Sequence, residues 1–303
     1  MGMTNFFSVV LGIKGRIFSM YFKNVKKIFL TLLVSLSFAV FAQSDERDVP
    51  YTKELRTFIN AYFNHDLTTK EQAEKLYNAV SSNMPADFTE YQVETTLSRA
   101  DYYFGQYIME LYDLTQLEHA LDDISKEFEE PEERNKRIKA EASKYYESGM
   151  VHGSKAMALK PDDCPDAMAA YTQALSGNII VKPVGYVLQH GTKIASYARK
   201  IVKAAPKSGI GWFLVSAQSC YAPGIFGNAK KGRQQMTTYL EDEDMICEKF
   251  DRYNYTCAIA YTYYRQNKFA EAKEWYTKCL DFYPKNYCAL DFIKKCDAKL
   301  ASK

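Results

Sequence analysis

Four histidines are the first candidates for acid–base or metal chemistry: His65, His119, His152 and His190. A general base needs a partner that orients it, and a metal centre needs ligands at helical or loop spacing. His65 stands in a turn, His119 lies on a charged helical stretch, and His152 and His190 each precede a glycine. No H-E-x-x-H, no histidine pair at helical spacing and no nucleophile motif accompanies them. The 7 cysteines all lie in the second half, at 164, 220, 247, 257, 279, 288 and 296, with no C-x-x-C pair. An odd count without that spacing fits neither a disulfide framework nor zinc or thioredoxin-like chemistry. Two readings remain open: buried free thiols, or one bridge among the C-terminal cysteines. The glycines of Pro223-Gly224-Ile225-Phe226-Gly227 lack the preceding strand and the lysine of a phosphate loop. That stretch reads either as a plain inter-helix turn or as a loop presenting Ile225 and Phe226, which need burial somewhere. The chemistry-bearing residues therefore point away from an enzyme, a metal and a cofactor.

The elements that would position any site are helical. Asn254 to Tyr287 gives two short helical patterns joined by Arg265-Gln266-Asn267-Lys268 and stopped at Pro284. Ala260 precedes Tyr263 by three positions, and Ala272, Tyr276 and Cys279 follow at four- and three-residue steps. Small and large residues alternating on one face let two antiparallel helices approach closely, with an aromatic filling the gap. Ile259, Ala260, Tyr263, Ala272, Tyr276, Cys279 and Pro284 fall on signature positions, so the stretch resembles a tetratricopeptide repeat, a helix–turn–helix unit of about 34 residues. Thr256 and Cys279 depart from the usual residues there.

The same steps recur, less completely, at 54–87, where Ala73, Tyr77 and Val80 precede Pro85, and at 207–240, around Trp212, Gly232 and Met236. Asn64 stands where the first of these would carry a tyrosine. Between them the periodicity predicts a long aromatic helix from Phe88, a helix begun by Pro131 and ended before Pro161, a helix over Cys164–Leu175, and another over Tyr186–Ala204. Ser176–Pro183 (SGNIIVKP) reads as a break with a short β-like run. Glu241–Asp244 reads as a solvated acidic turn that starts the next helix, and Asn286–Lys299 as a terminal cap. No stretch of the mature chain sustains strict alternation. The expected fold is all-α: four to five tetratricopeptide-like helical pairs and a cap, in a curved or ring-like solenoid spanning 51–303.

Residues 1–42 read as a secretory signal, with Lys23, Lys26 and Lys27 ahead of an apolar run over 28–42 and small residues at Val40 and Ala42. The alternative is a transmembrane anchor, for which the run is short of about 18 apolar residues. Residues 1–19 read as an extension ahead of the true start at Met20, and 43–50 as a loose N-terminus. Neither a lipid-accepting cysteine nor a myristoylation pattern is present. The segment over 1–42 holds five of the 39 basic residues and no acidic ones, which leaves 34 basic against 37 acidic. A near-neutral mature chain without a basic block gives no case for nucleic acid or an anionic membrane surface.

Aromatic content, at 15 % of residues, is the informative excess. Most such side chains at helical spacing are core. In the repeat's geometry, however, Asn254, Cys257, Tyr261, Tyr264 and Arg265 fall on a groove face, and the matching positions one unit earlier are Ile210, Phe213, Ala217, Cys220 and Tyr221. An aromatic and polar groove suits an extended peptide, a helix or an elongated apolar ligand. The candidate ligand or partner surface is thus Ile210, Phe213, Tyr221, Ile225, Phe226, Asn254, Tyr261, Tyr264 and Arg265. The signal, the degenerate repeats and the late Y-x-P-G-x-x-G loop together are similar to exported bacterial tetratricopeptide proteins. Among these they are similar to the TatT-type component associated with tripartite ATP-independent periplasmic (TRAP) transporters. That resemblance implies a helical ring around an apolar pore, docking to a periplasmic solute-binding protein, with an apolar or organic-acid ligand. The lipid-accepting cysteine typical of that group is replaced by Ala42-Gln43. A general scaffold for envelope protein assembly is the alternative function.

Overall fold

The computed structural model describes residues 48–119, 131–221 and 227–302. The segment over 1–42 and the loop residues Ile225 and Phe226 lie outside the described residues, as does the side chain of His119. Among the described residues there are eleven helices: α1 (Lys53–Phe63), α2 (Lys70–Ser82), α3 (Glu90–His119), α4 (Pro131–Leu159), α5 (Pro165–Val181), α6 (Val184–Ala204), α7 (Gly209–Tyr221), α8 (Ala229–Glu241), α9 (Lys249–Arg265), α10 (Phe269–Phe282) and α11 (Tyr287–Ala301). They hold no named strand, and the chain is all-α. One isolated parallel bridge, Ser208 to Ile246, ties the approach to α7 to the approach to α9.

Each helix starts where local chemistry lets it. Thr52 caps α1 through Leu55 N, Thr69 and Gln72 form a reciprocal capping box on α2, and Asn286 caps α11 through Ala289 N. Pro131 and Pro165 each occupy a first helical position, where a missing N–H costs nothing. The first and last tight hairpins end their leading helices alike. In α1, His65 takes φ 61° and Asp66 N bonds to Ala61 O. In α9, Asn267 takes φ 59° and Lys268 N bonds to Tyr263 O. A left-handed residue with a bond reaching back five positions is the Schellman stop, and it turns the chain sharply into the next helix.

Packing follows chain order: successive helices touch, with the further pairs α1·α3, α3·α5, α7·α9 and α1·α9. The main core runs through α1, α2, α3, α4, α9, α10 and α11, and includes Ala260, Ala272, Tyr276 and Cys279, all fully buried. Thus the first helix reaches the last hairpin. Phe63 stacks on Tyr283 at 5.3 Å and on Phe250 at 6.3 Å, and Tyr51 meets Phe250 edge-on. Arg56 adds a two-pronged bond to Glu248 at 3.0 and 2.8 Å.

Asp48–Pro50, at the end of the polar N-terminal stretch, is held. Arg99 donates to Val49 O at 2.8 Å and to Asp166 Oδ1 at 2.7 Å, and Asp166 Oδ2 accepts from Val49 N. The guanidinium also lies over the Tyr51 ring, 4.2 Å from its centroid.

Two sequence expectations about helix bounds are corrected. Glu241–Asp244 does not start the next helix: Glu241 ends α8, Asp242 caps it, and α9 begins only at Lys249. Ser176–Val181 continues α5 instead of breaking it. Gly177 there leaves room for the Tyr146 ring, and Asn178 is buried against Ser143 and Tyr186. Tertiary burial of Ile179 overrides the weak helix propensity of a Gly-Asn-Ile-Ile run.

Candidate functional site

The groove-face residues expected from sequence are partly consumed by packing. Ile210 and Tyr261 are buried, while Phe213, Tyr221, Asn254, Tyr264 and Arg265 are half-buried. Tyr261 meets Tyr221 in a tilted contact at 5.3 Å, and Arg265 lies over the Tyr261 ring and donates to Cys220 O at 2.9 Å. Phe292 of α11 meets Tyr261 and Tyr264 edge-on, at 6.1 and 4.9 Å. The terminal helix therefore supplies a ring that the repeat pattern of α9 does not announce. Burial raises the Tyr221 phenol well above its ordinary range.

A second constellation lies between α2, α3 and α4. On α4, residues 137, 141, 144, 148, 152 and 155 recur at three- and four-residue steps, so they share one stripe. That stripe faces Glu94 and Asp101, seven apart on α3, and Tyr77 on α2. His152 Nδ1 lies 2.6 Å from Glu94 Oε2, and Lys155 Nζ 2.6 Å from Glu94 Oε1. Burial alone would raise the Glu94 carboxyl, but the Lys155 and His152 bonds hold it below its ordinary range. Lys155 is raised by its bonds to Glu94 and Glu90.

Asp101 is 2 % exposed. Tyr77 donates to its Oδ1 at 2.5 Å, the Ser148 hydroxyl lies near the same carboxyl, and His152 Nε2 lies 4.0 Å from its Oδ2. Among the described residues Oδ2 has no hydrogen-bond partner. Burial pushes this carboxyl above its ordinary range, because desolvation outweighs the two hydroxyls and the distant imidazole. The Tyr77 phenol is likewise pushed far up, first by burial and then by the Asp101 charge, so it stays a donor.

Above this buried acid opens a cleft of about 470 Å³, lined by Tyr77, Arg137, Ala140, Glu141, Lys144, Tyr145 and Ser148. Tyr145 stands edge-on to Tyr77 at 5.8 Å and packs on Phe104 at 4.5 Å, which fixes one apolar wall. Glu141 is paired with Lys70 at 2.7 Å. The remaining charged lining groups, Arg137 and Lys144, are cations exposed at the mouth.

The sequence reading missed this cluster, although the polar stripe on α4 is visible in it. A stripe of that kind ordinarily means a solvated face, and only the placement of α2 and α3 against it brings the acid beneath. Among the described residues no group of three or more His, Cys, Asp or Glu is arranged to hold a metal ion. Nor is any helix there long and apolar enough to cross a membrane. Comparison with family models, curated proteins and solved structures finds no match for this chain.

Proposed function

We propose that this chain is a non-catalytic helical-repeat binding protein, exported to the periplasm or cell envelope. In this reading tetratricopeptide-like hairpins form a curved or ring-like solenoid that holds a small apolar or organic-acid ligand. The protein serves as an accessory of a TRAP-type uptake system, docking to its solute-binding protein. The cleft between α2 and α4 is the observation that carries the binding role: Tyr77, whose hydroxyl is committed to Asp101, and Tyr145 line a volume of about 470 Å³ together with polar groups of α4. The two like-turned hairpins at either end, joined through Phe63 and Tyr283, support the repeat architecture. Native mass spectrometry of protein recovered from the cell envelope tests the reading. A retained small molecule or a bound solute-binding protein is expected, and recovery of neither overturns it.

The second reading, a scaffold for envelope assembly, draws on the half-buried Tyr264 and Asn254. Affinity capture with Tyr261→Ala and Tyr264→Ala decides between them once circular dichroism shows that helix content survives. Loss of an envelope protein with ligand retained favours the scaffold; an unchanged partner set removes it.

A further inference from the structure

We propose that Cys257 of α9 and Cys288 of α11 are a redox-modifiable pair, joined by exchange with a small disulfide, and that their bond fastens α11 over the aromatic face of α9. This goes beyond the binding role above and does not depend on it.

The pairing follows from the contacts on either side. Tyr253, four residues before Cys257, donates to Asn286 Oδ1 at 2.8 Å, and Asn286 stands two residues before Cys288. Tyr261, four residues after Cys257, meets Phe292, four residues after Cys288, at 6.1 Å. Positions four apart share a helix face. Tyr253, Cys257 and Tyr261 therefore look onto the strip that runs from Asn286 through Cys288 to Phe292. Both ends of the interval are tied, and the two thiols lie near each other between the ties.

Accessibility selects this pair among the cysteines. Cys279 of α10 also lies near Cys257 but is fully buried, as are Cys220 and Cys296. Cys257 and Cys288 are half-buried, so a reagent has a path to them. Cys247 is half-buried too, but it packs beside Gly209 and against a different part of the core.

The step balances as thiol–disulfide exchange. The Cys288 thiolate attacks one sulfur of the small disulfide and expels the other half as a thiolate. The Cys257 thiolate then attacks the Cys288 sulfur of the mixed disulfide and expels the second half. The protein gives up two electrons and two protons, and the reagent leaves as two thiols. The Cys279 thiol raises the Cys257 pKa, the Cys257 thiol raises that of Cys288, and burial adds to both. The reduced pair thus gains nothing from a stabilised thiolate, which favours the bond at equilibrium and slows its formation.

The consequence lies one turn further along α11. Phe292 covers Tyr261 and Tyr264 edge-on. A bond at Cys288 holds that cover down, and reduction lets it lift with the helix.

Equilibration of the intact protein with oxidised glutathione, acid quenching and peptide mapping test this. Loss of two of the 7 thiols is expected, with a linked peptide joining Cys257 to Cys288. Cys257→Ala or Cys288→Ala should abolish the loss, and Cys247→Ala should leave it intact. The linked peptide comes from the wild-type protein, so the assignment stands or falls even where a variant misfolds. Hydrogen exchange at α11 should slow by more than about tenfold on oxidation, since the bond closes a loop that opening must otherwise form, and a reductant should reverse it. Seven intact thiols at equilibrium, a bridge from Cys257 to Cys279, or a bridge between molecules overturns the proposal. A Cys257–Cys288 bond without added protection of α11 overturns the fastening role.

Discussion

The Asn286 side chain donates to the backbone carbonyl of Phe63 at 2.7 Å, across 223 residues of chain. The same amide caps α11 through Ala289 N and accepts the Tyr253 hydroxyl at 2.8 Å. One residue thus joins the end of α1, the face of α9 and the start of α11. Asn286→Ala is expected to destabilise the protein by about 2–4 kcal/mol, since it removes a cap and strands two buried groups. Urea unfolding reads the loss. Hydrogen exchange should show α1 and α11 losing protection together, and a loss confined to α11 would mean that the seal onto Phe63 contributes nothing.

Tyr146 on α4 sits with its ring edge in a slot formed by Gly105 of α3 and Gly177 of α5. A Cβ at Gly105 would fall 2.5 Å from Tyr146 Cε1, and one at Gly177 would meet the same atom. In an exposed helix, glycine to alanine gains roughly 1 kcal/mol. Here Gly105→Ala or Gly177→Ala is expected to cost about 1–3 kcal/mol, because the ring cannot move within a filled core. Pairing Gly177→Ala with Tyr146→Leu should restore helix stability in thermal melts; additive losses would refute a shared slot.

The hairpins were legible because their information is local. The polar turns at 65–68 and 265–268, the small residues Ala73 and Ala272, and the prolines after α2 and α10 all lie within a few residues of the geometry they produce. The helices observed there, and over 209–221 and 229–241, match the periodicity closely. What stayed hidden depends on distant partners. The continuation of α5 through Gly177 needs Tyr146 and Ser143 from α4. The partial cover over Tyr261 and Tyr264 comes from Phe292 of α11. Arg137, Lys144 and Ser148 read as a solvated stripe until Tyr77 of α2 lines a cleft with them.

Asp101 should leave a mark on the pH dependence of stability. Tyr77 from α2 and Tyr145, Ser148 and His152 from α4 surround it. Its folded-state pKa is raised above the ordinary value near 3.8, so the native state keeps a proton that the unfolded chain releases. Stability from this group is therefore lost as pH rises from about 3.8 through its raised value. Glu94 acts oppositely: its lowered pKa adds stability above its ordinary value near 4.5 and loses it on acidification. His65, lowered by burial, adds stability as pH rises through the region of 6.5. Asp101→Asn removes one slope and leaves the other two. The variant-minus-wild-type difference in unfolding free energy should move in the variant's favour as pH rises from about 3.8 toward neutrality. A flat difference curve would show that Asp101 does not titrate in this window.

The Arg99–Asp166 pair tests what anchors residues 48–51. Arg99 is 1 % exposed and Asp166 8 %, and between them they bind both backbone polar groups of Val49. Bringing two charges into the interior costs desolvation that their attraction only roughly offsets, so the pair itself need not be a net stabiliser. Removing one partner is different, because the other charge stays buried without compensation. Arg99→Met or Asp166→Leu alone is expected to cost about 3–5 kcal/mol, whereas the double change should cost much less than the sum. The Val49 amide and carbonyl lose their partners in the double variant, and the Tyr51 ring loses the guanidinium lying over it. Residues 48–51 should then become susceptible to limited proteolysis while α3 and α5 stay protected. If the double variant keeps Val49 shielded, apolar burial of Val49 and Tyr51 holds the segment, and the ion pair only selects where the two backbone groups lie.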